Sequence, residues 1–188
     1  MKLFINACVR KASRTRRLAE ARMAGDREAY REVYLPDIDF PRVDEDFLNW
    51  RDGCIRRSDY SSPIFDLAKD FAAAEEIVIA APFWDLSFPA TLKQYFEQIC
   101  VLGLTFYYED DRPRGLCRAK QLTYVTTAGG PVYNADYGYG YVRALATTFY
   151  GIEETRLIKA ENLDIAGADA EGILAETMRR NQEPGIRN

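Results

Sequence analysis

Glu76-Ile77-Val78-Ile79-Ala80-Ala81-Pro82-Phe83-Trp84-Asp85-Leu86-Ser87-Phe88-Pro89 is the stretch on which the fold turns. Its first six residues are nearly all apolar, β-branched at the centre, and end at a proline. A run with no polar alternation reads as a strand buried on both faces, and such strands belong to parallel sheets covered by helices. A helix follows over residues 89–101: Pro89 suits its first turn, and Leu92, Phe96 and Ile99 or Cys100 share one face. Strand, aromatic loop and helix thus form one β-α unit.

The same unit repeats outward. Leu3-Phe4-Ile5-Asn6-Ala7 reads as a buried strand at the N-terminus, and residues 14–24 as a helix capped by Ser13, with Leu18, Ala19, Ala21 and Ala24 as its small or apolar positions. Glu32-Val33-Tyr34-Leu35 is a weaker strand stopped by Pro36. Residues 36–60, rich in carboxylates, are expected to form an irregular loop of a length usually found at functional sites or interfaces. A helix is expected over 62–74, an extended aromatic segment over 104–108 and a turn-rich stretch over 109–118. Residues 121–126 form the fourth core strand, followed by a helix around 138–150, a strand around 154–159 and a last helix from 169 to 180. This alternation predicts a single α/β domain over 1–188, a doubly wound parallel sheet of five strands with helices on both faces. The flavodoxin-like strand order 2-1-3-4-5 is the expectation, although alternation alone does not fix the order.

Composition narrows the function. A chain of 188 residues buries a core without disulfide or metal staples. Its net charge of -4 argues against nonspecific nucleic-acid binding. Cys8, Cys54, Cys100 and Cys117 form no C-x-x-C pair, so zinc-ribbon, thioredoxin-like and iron–sulfur readings lack their spacing and reduced thiols are expected. There is no histidine, which excludes Ser-His and Cys-His nucleophiles and histidine metal sites. Acid–base work must then use tyrosine, carboxylates or a cofactor, and no metal is expected. Residues 3–9 are too short an apolar stretch for a signal peptide, and the basic residues follow it rather than precede it. With no run near the ~20 apolar residues of a membrane span, a cytoplasmic protein is expected.

Sheets of this kind bind ligands outside the carboxyl ends of the strands, at the switch point between strands 1 and 3. Three loops converge there. Ala7-Cys8-Val9-Arg10-Lys11-Ala12-Ser13-Arg14-Thr15 enters a helix N-terminus, where free N–H groups, two hydroxyls and nearby arginines suit a phosphate monoester. An ordinary serine cap beside a solvated basic face is the other reading. In residues 82–89, Phe83 and Trp84 either wall a planar ring or pack an interface or the core, and Asp85 belongs to that loop's site or is a helix-start carboxylate. Thr126-Thr127-Ala128-Gly129-Gly130 lets backbone approach a ligand closely, as a flavin requires near N5 and its N1/O2 edge, although Gly-Gly turns are common.

Ala81 to Pro89, then Leu92-Lys93, Phe96-Glu97 and Gly103-Leu104-Thr105-Phe106, resemble the FMN-dependent NADH-azoreductases and NAD(P)H quinone reductases over about residues 2–160. The resemblance implies FMN, NADH or NADPH as donor, ping-pong two-electron transfer to quinones or azo compounds, and a homodimer with sites across its interface. By the same resemblance, Ser13, Arg14 and Thr15 hold the phosphate. Pro82, Phe83, Trp84, Asp85 and Leu86 hold the ribityl chain and ring edge, and Thr126, Thr127, Ala128, Gly129 and Gly130 the pyrimidine side. Phe106 and Tyr108, with Tyr107 between them, are substrate-pocket walls or dimer packing, and the 36–60 loop is placed over the same cleft. Two departures stand out. Some family members carry a histidine after the Gly-Gly turn, where this chain has Pro131-Val132-Tyr133-Asn134, so Tyr133 is the remaining proton-donor candidate. The chain is also shorter than the FAD-using mammalian enzymes, which favours FMN. A one-electron flavodoxin-like carrier and a flavin-free protein-binding module are the competing readings.

Overall fold

The computed structural model describes residues 1–24, 26, 28–133 and 137–182. In chain order its elements are β1 (Lys2–Asn6), α1 (Arg14–Met23), β2 (Tyr30–Tyr34), α2 (Glu45–Arg56), α3 (Asp66–Ala73), β3 (Glu76–Ala80), α4 (Ala90–Ile99), β4 (Phe106–Glu109), β5 (Arg112–Gly115), β6 (Gln121–Thr127), α5 (Tyr139–Leu145), β7 (Glu154–Ala160) and α6 (Ala170–Gln182). Five parallel strands form one sheet in the order β2-β1-β3-β6-β7. Counted without the separate β4-β5 pair, this is the expected 2-1-3-4-5.

The continuous apolar runs are explained by burial on both faces. Leu3, Ile5, Ile77 and Ile79 join a cluster with Phe65, Phe71, Leu92 and Tyr95, whereas Phe4, Val78, Ala80 and Val125 join Leu18, Ala19 and Leu174 on the other side. Alternate residues of one strand therefore meet different helices: α3 and α4 on one face, α1 and α6 on the other.

Two segments depart from the sequence expectation. Residues 36–60 are not a continuous irregular loop, because α2 occupies their centre. Asp44 caps it by accepting from Phe47 N at 3.0 Å, with Glu45 and Asp46 in its first turn and Arg56 in its last, as the helix dipole favours. The helix hides from periodicity because, among its residues, only Cys54 is buried while Leu48 and Trp50 stay exposed. A polar contact holds it instead: Arg51 Nη2 donates to the carbonyls of Glu97, Gln98 and Cys100 at the end of α4.

Residues 104–118 contain the antiparallel hairpin β4-β5, turned through Asp110 and Asp111, both left-handed (φ 50° and 59°). Residues 138–150 are helical as expected, but α5 widens into a π-turn over Ala146–Tyr150 and ends at the left-handed Gly151. The hairpin docks there backbone to backbone: a Cβ on Gly115 would lie 2.2 Å from Gly151 N. All four cysteines are free thiols. Among the described residues, no helix is long and apolar enough to cross a membrane.

Candidate functional site

At the carboxyl end of the sheet, the loops after β1, β3, β6 and β7 enclose a cleft of about 340 Å³. Asn6 starts the first loop. Fully buried, it donates to Glu32 Oε1 (2.7 Å) and accepts Cys8 N–H (2.9 Å), which turns the chain out of β1. Ser13 caps α1, its Oγ accepting from Arg16 N at 3.2 Å. Thr15 Oγ1 lies 2.6 Å from Thr127 Oγ1, which ties the helix start to the end of β6. The N–H groups of Arg14 and Thr15, the first two of the helix, precede any intrahelical acceptor.

The basic run divides by direction. Arg16 pairs with Glu20 and Glu32, and Arg17 with Glu171, away from the cleft. Arg10 and Arg14 line it. Arg14 Nη1 lies 2.7 Å from Asp164 Oδ1. Cys8 is unsuited to nucleophilic work, since burial pushes its thiol up to about 11 against the opposing Ser13 hydrogen bond and Arg16 charge.

Pro82, Phe83 and Trp84 form the second wall. Phe83 N donates to Thr127 O (3.0 Å), so the second and third loops are joined directly. Trp84 and Ser87 exchange two backbone hydrogen bonds, 3.1 and 2.8 Å, around a two-residue turn. Its corners, Asp85 and Leu86, are left-handed at φ 50° and 68°, the pattern of a type I′ turn. Asp85 is therefore a turn residue: Pro89 occupies the cap position of α4, with no side-chain cap bond.

Thr127, Ala128 and Gly129 complete the lining. Three backbone bonds pin this loop to the segment after β7: Leu163 N to Ala128 O (3.2 Å), Asp164 N to Gly129 O (2.9 Å) and Asn162 N to Gly130 O (3.2 Å). A Cβ on Gly129 would lie 2.4 Å from Asp164 Oδ2, whereas one on Gly130 would meet nothing within 4 Å. Thr126 is buried beneath, its hydroxyl without a partner.

The structure thus brings Ser13, Arg14, Thr15, Pro82, Phe83, Trp84, Thr127, Ala128 and Gly129 to one cleft. Asp85, Leu86, Thr126 and Gly130 flank that lining. Phe106 and Tyr108 lie on the hairpin, away from their own chain's cleft: Phe106 packs edge-on against Phe149 at 5.1 Å, and Tyr108 is exposed. Tyr133 is 75% exposed and also outside the lining. Asn134 falls outside the described residues. Sequence reasoning missed Leu163 and Asp164; the available signal was their position directly after the last parallel strand. A larger groove of about 990 Å³ along β7 gathers none of the predicted loops.

The sequence pattern of the flavodoxin-like fold family matches residues 2–183. The FMN-dependent NADH:quinone oxidoreductase 2 of Clostridium acetobutylicum is 42% identical over 125 residues, 64% of this chain and 62% of that protein. The match thus spans less than two thirds of that relative's own length. The FMN-dependent NADH:quinone oxidoreductase of Lachnoclostridium phytofermentans is 36% identical over 147 residues, 77% of this chain and 73% of that protein. Among solved structures, an FMN-dependent NADH-azoreductase from Bacillus anthracis in complex with FMN superposes with a TM-score of 0.80. It covers 96% of this chain and 94% of that one at 20% identity, a likeness of fold.

Proposed function

The chain belongs to the flavodoxin-like fold family and, within it, to the FMN-dependent NADH:quinone oxidoreductases, and from that premise we propose a two-electron oxidoreductase with its FMN in the switch-point cleft. NADH is the donor, and quinones, azo compounds or similar small molecules are the acceptors. One observation carries the placement: the start of α1, the Phe83-Trp84 wall and the Thr127–Gly129 loop meet around a single cleft.

The donor set fits the cofactor. The hydroxyls of Ser13 and Thr15, the first N–H groups of α1 and the cations of Arg10 and Arg14 suit a phosphate dianion. Phe83 and Trp84 offer apolar faces for a ring, and the Ala128-Gly129-Gly130 backbone comes without bulky side chains. Asp85 and Leu86 hold the turn that presents Trp84. When bound, FMN supplies the redox chemistry; the chain supplies binding, orientation and a wall against water. Trp84, 40% exposed, leaves one side of the cleft open for donor and acceptor to bind in turn.

The proposal extends to a homodimer. Trp50 and Tyr108 are 45% and 57% exposed, large apolar side chains that a second copy of the chain would cover. Phe106 and Tyr108 then serve as walls of the neighbouring subunit's cleft. Tyr133 is the proton-donor candidate. Free thiols and a nicotinamide donor support a cytoplasmic setting, and we treat residues 1–188 as one domain.

The test is the visible spectrum of the protein with FMN, before and after anaerobic NADH. Direct bleaching to the two-electron reduced form, reversed by a quinone, is expected. Bound flavin that NADH leaves oxidised would indicate a carrier, and absence of flavin binding would overturn the assignment. Light scattering at micromolar concentration is expected to give twice the chain mass.

A further inference from the structure

Asp164 is the only carboxylate among the described residues that line the cleft, in a place whose other charges, Arg10 and Arg14, suit an anion. Its position is fixed from three sides. Its N–H bonds to Gly129 O at 2.9 Å, its Oδ2 lies 2.4 Å from where a Cβ of residue 129 would stand, and its Oδ1 meets Arg14 Nη1 at 2.7 Å. Leu163 O adds a longer contact to the same nitrogen, at 3.5 Å. The other acids nearby have partners of their own: Glu171 holds Arg17 and Glu161 holds Lys159. Arg14 and Asp164 thus form a pair across the mouth of the cleft, joining the loop after β1 to the loop after β7.

Resting on the reading of the cleft as the FMN site, we propose that Asp164 is a specificity-determining internal anion. It occupies the cation that the ligand's phosphate must recruit, and it weakens binding in proportion to ligand charge. Both side chains are largely open to solvent, 38% and 67%, and an exposed pair is worth little. The contact therefore yields readily when a dianion enters. Opening it leaves an uncompensated carboxylate beside the phosphate, a like-charge opposition that a neutral ligand does not meet. Gly129 acquires a reason here that needs no ligand: a side chain at 129 would push the carboxylate out of its seat.

Calorimetric titration of the full chain with FMN and with riboflavin, which lacks the phosphate, tests this in wild type, Asp164→Asn, Arg14→Gln and the double variant. Asp164→Asn should tighten FMN about two- to fivefold and leave riboflavin unchanged. In the Arg14→Gln background the FMN gain should shrink, because the cation is no longer there to be freed. Unchanged or weaker FMN binding by Asp164→Asn, or an equal gain for riboflavin, overturns the proposal. So does a wild type that binds FMN and riboflavin equally, although the cleft then remains a flavin site. A wild type that binds neither overturns the cofactor reading, and the role of Asp164 falls with it.

Discussion

The two ends of the sheet are built to opposite specifications. At the amino end, Lys2 Nζ sits 3.3 Å from Asp26 and 3.1 Å from Glu76, Arg22 reaches Glu76 at 2.9 Å, and the Tyr30 hydroxyl donates to Asp26 at 2.6 Å. The Lys2 ammonium also lies over the Tyr30 ring, 5.4 Å from its centroid. Each of these four charges, Lys2, Arg22, Asp26 and Glu76, has an opposite, and their side chains are no more than 21% exposed. At the carboxyl end Arg14 holds a single exposed carboxylate, Thr126 has a buried hydroxyl with no partner, and Asp85 and Leu86 are held left-handed. The finished end serves stability; the end left incomplete can receive a ligand, as violations of local rules often do.

Glu76→Gln separates the two ends most strongly. Glu76 serves two cations while only 16% exposed, so its removal strands charge in a half-dry site. A loss of about 2–3 kcal/mol is expected, lowering Tm by roughly 5–10 °C, with FMN affinity unchanged. A fall in FMN affinity of the same size would show that the ends are coupled.

pH should act on the same end from both sides. Burial alone would raise the Asp26 carboxyl, but the Tyr30 hydroxyl, Lys2 and Arg22 outweigh it and hold it below the usual aspartate value. Its stabilising contribution is therefore present above pH ~4 and is lost as pH falls through the depressed value. Burial would lower Lys2, but hydrogen bonds to Glu76 and Asp26 raise it. For Tyr30, burial and the same two carboxylates all act upward. These contributions are full below pH ~10 and are lost as pH rises beyond it. Denaturant midpoints measured across pH should fall at both extremes, and Asp26→Asn should flatten the acid limb.

At the other end, Ser13→Ala removes the cap of α1 and one phosphate donor together. A stability loss of about 1 kcal/mol is expected, with weaker FMN binding in titration and riboflavin little affected. If stability falls and FMN binding does not, Ser13 is a cap alone.

The core strands and three of the four site loops were legible because buried parallel strands leave unbroken apolar runs, and their carboxyl ends fix where a ligand goes; the strand order rested on the flavodoxin-like pattern, not on the alternation itself. Helix α2 was not, since Leu48 and Trp50 face outward, little more than Cys54 and Ile55 reaches the core, and a guanidinium anchors it to α4. Hairpin β4-β5 was half visible: Asp110 and Asp111 take the left-handed turn conformation without a glycine to signal it. Asp164 escaped because its meaning lies in contacts with Gly129 and Arg14, far away in sequence. Phe106 and Tyr108 were placed by resemblance, against an expected neighbouring subunit, and Tyr133 by its position after the Gly-Gly turn; one chain's geometry brings none of the three to its cleft.

The smallest expected effect tests whether strain is stored at the carboxyl end at all. Leu86 sits at φ 68° and is half exposed, so it takes an unfavourable conformation without the burial that would offset it. A left-handed non-glycine residue costs about 1–2 kcal/mol, and glycine costs about 0.5–1 kcal/mol of chain entropy. Leu86→Gly should therefore stabilise the protein by about 0.5 kcal/mol, a small rise in the denaturant midpoint. Equivalent relief is not expected at the amino end, where no left-handed residue occurs among the described positions of the network. Destabilisation by more than about 1 kcal/mol would mean that Leu86 is packed against something the isolated chain does not contain. The dimer interface would then be the first place to look for its partner.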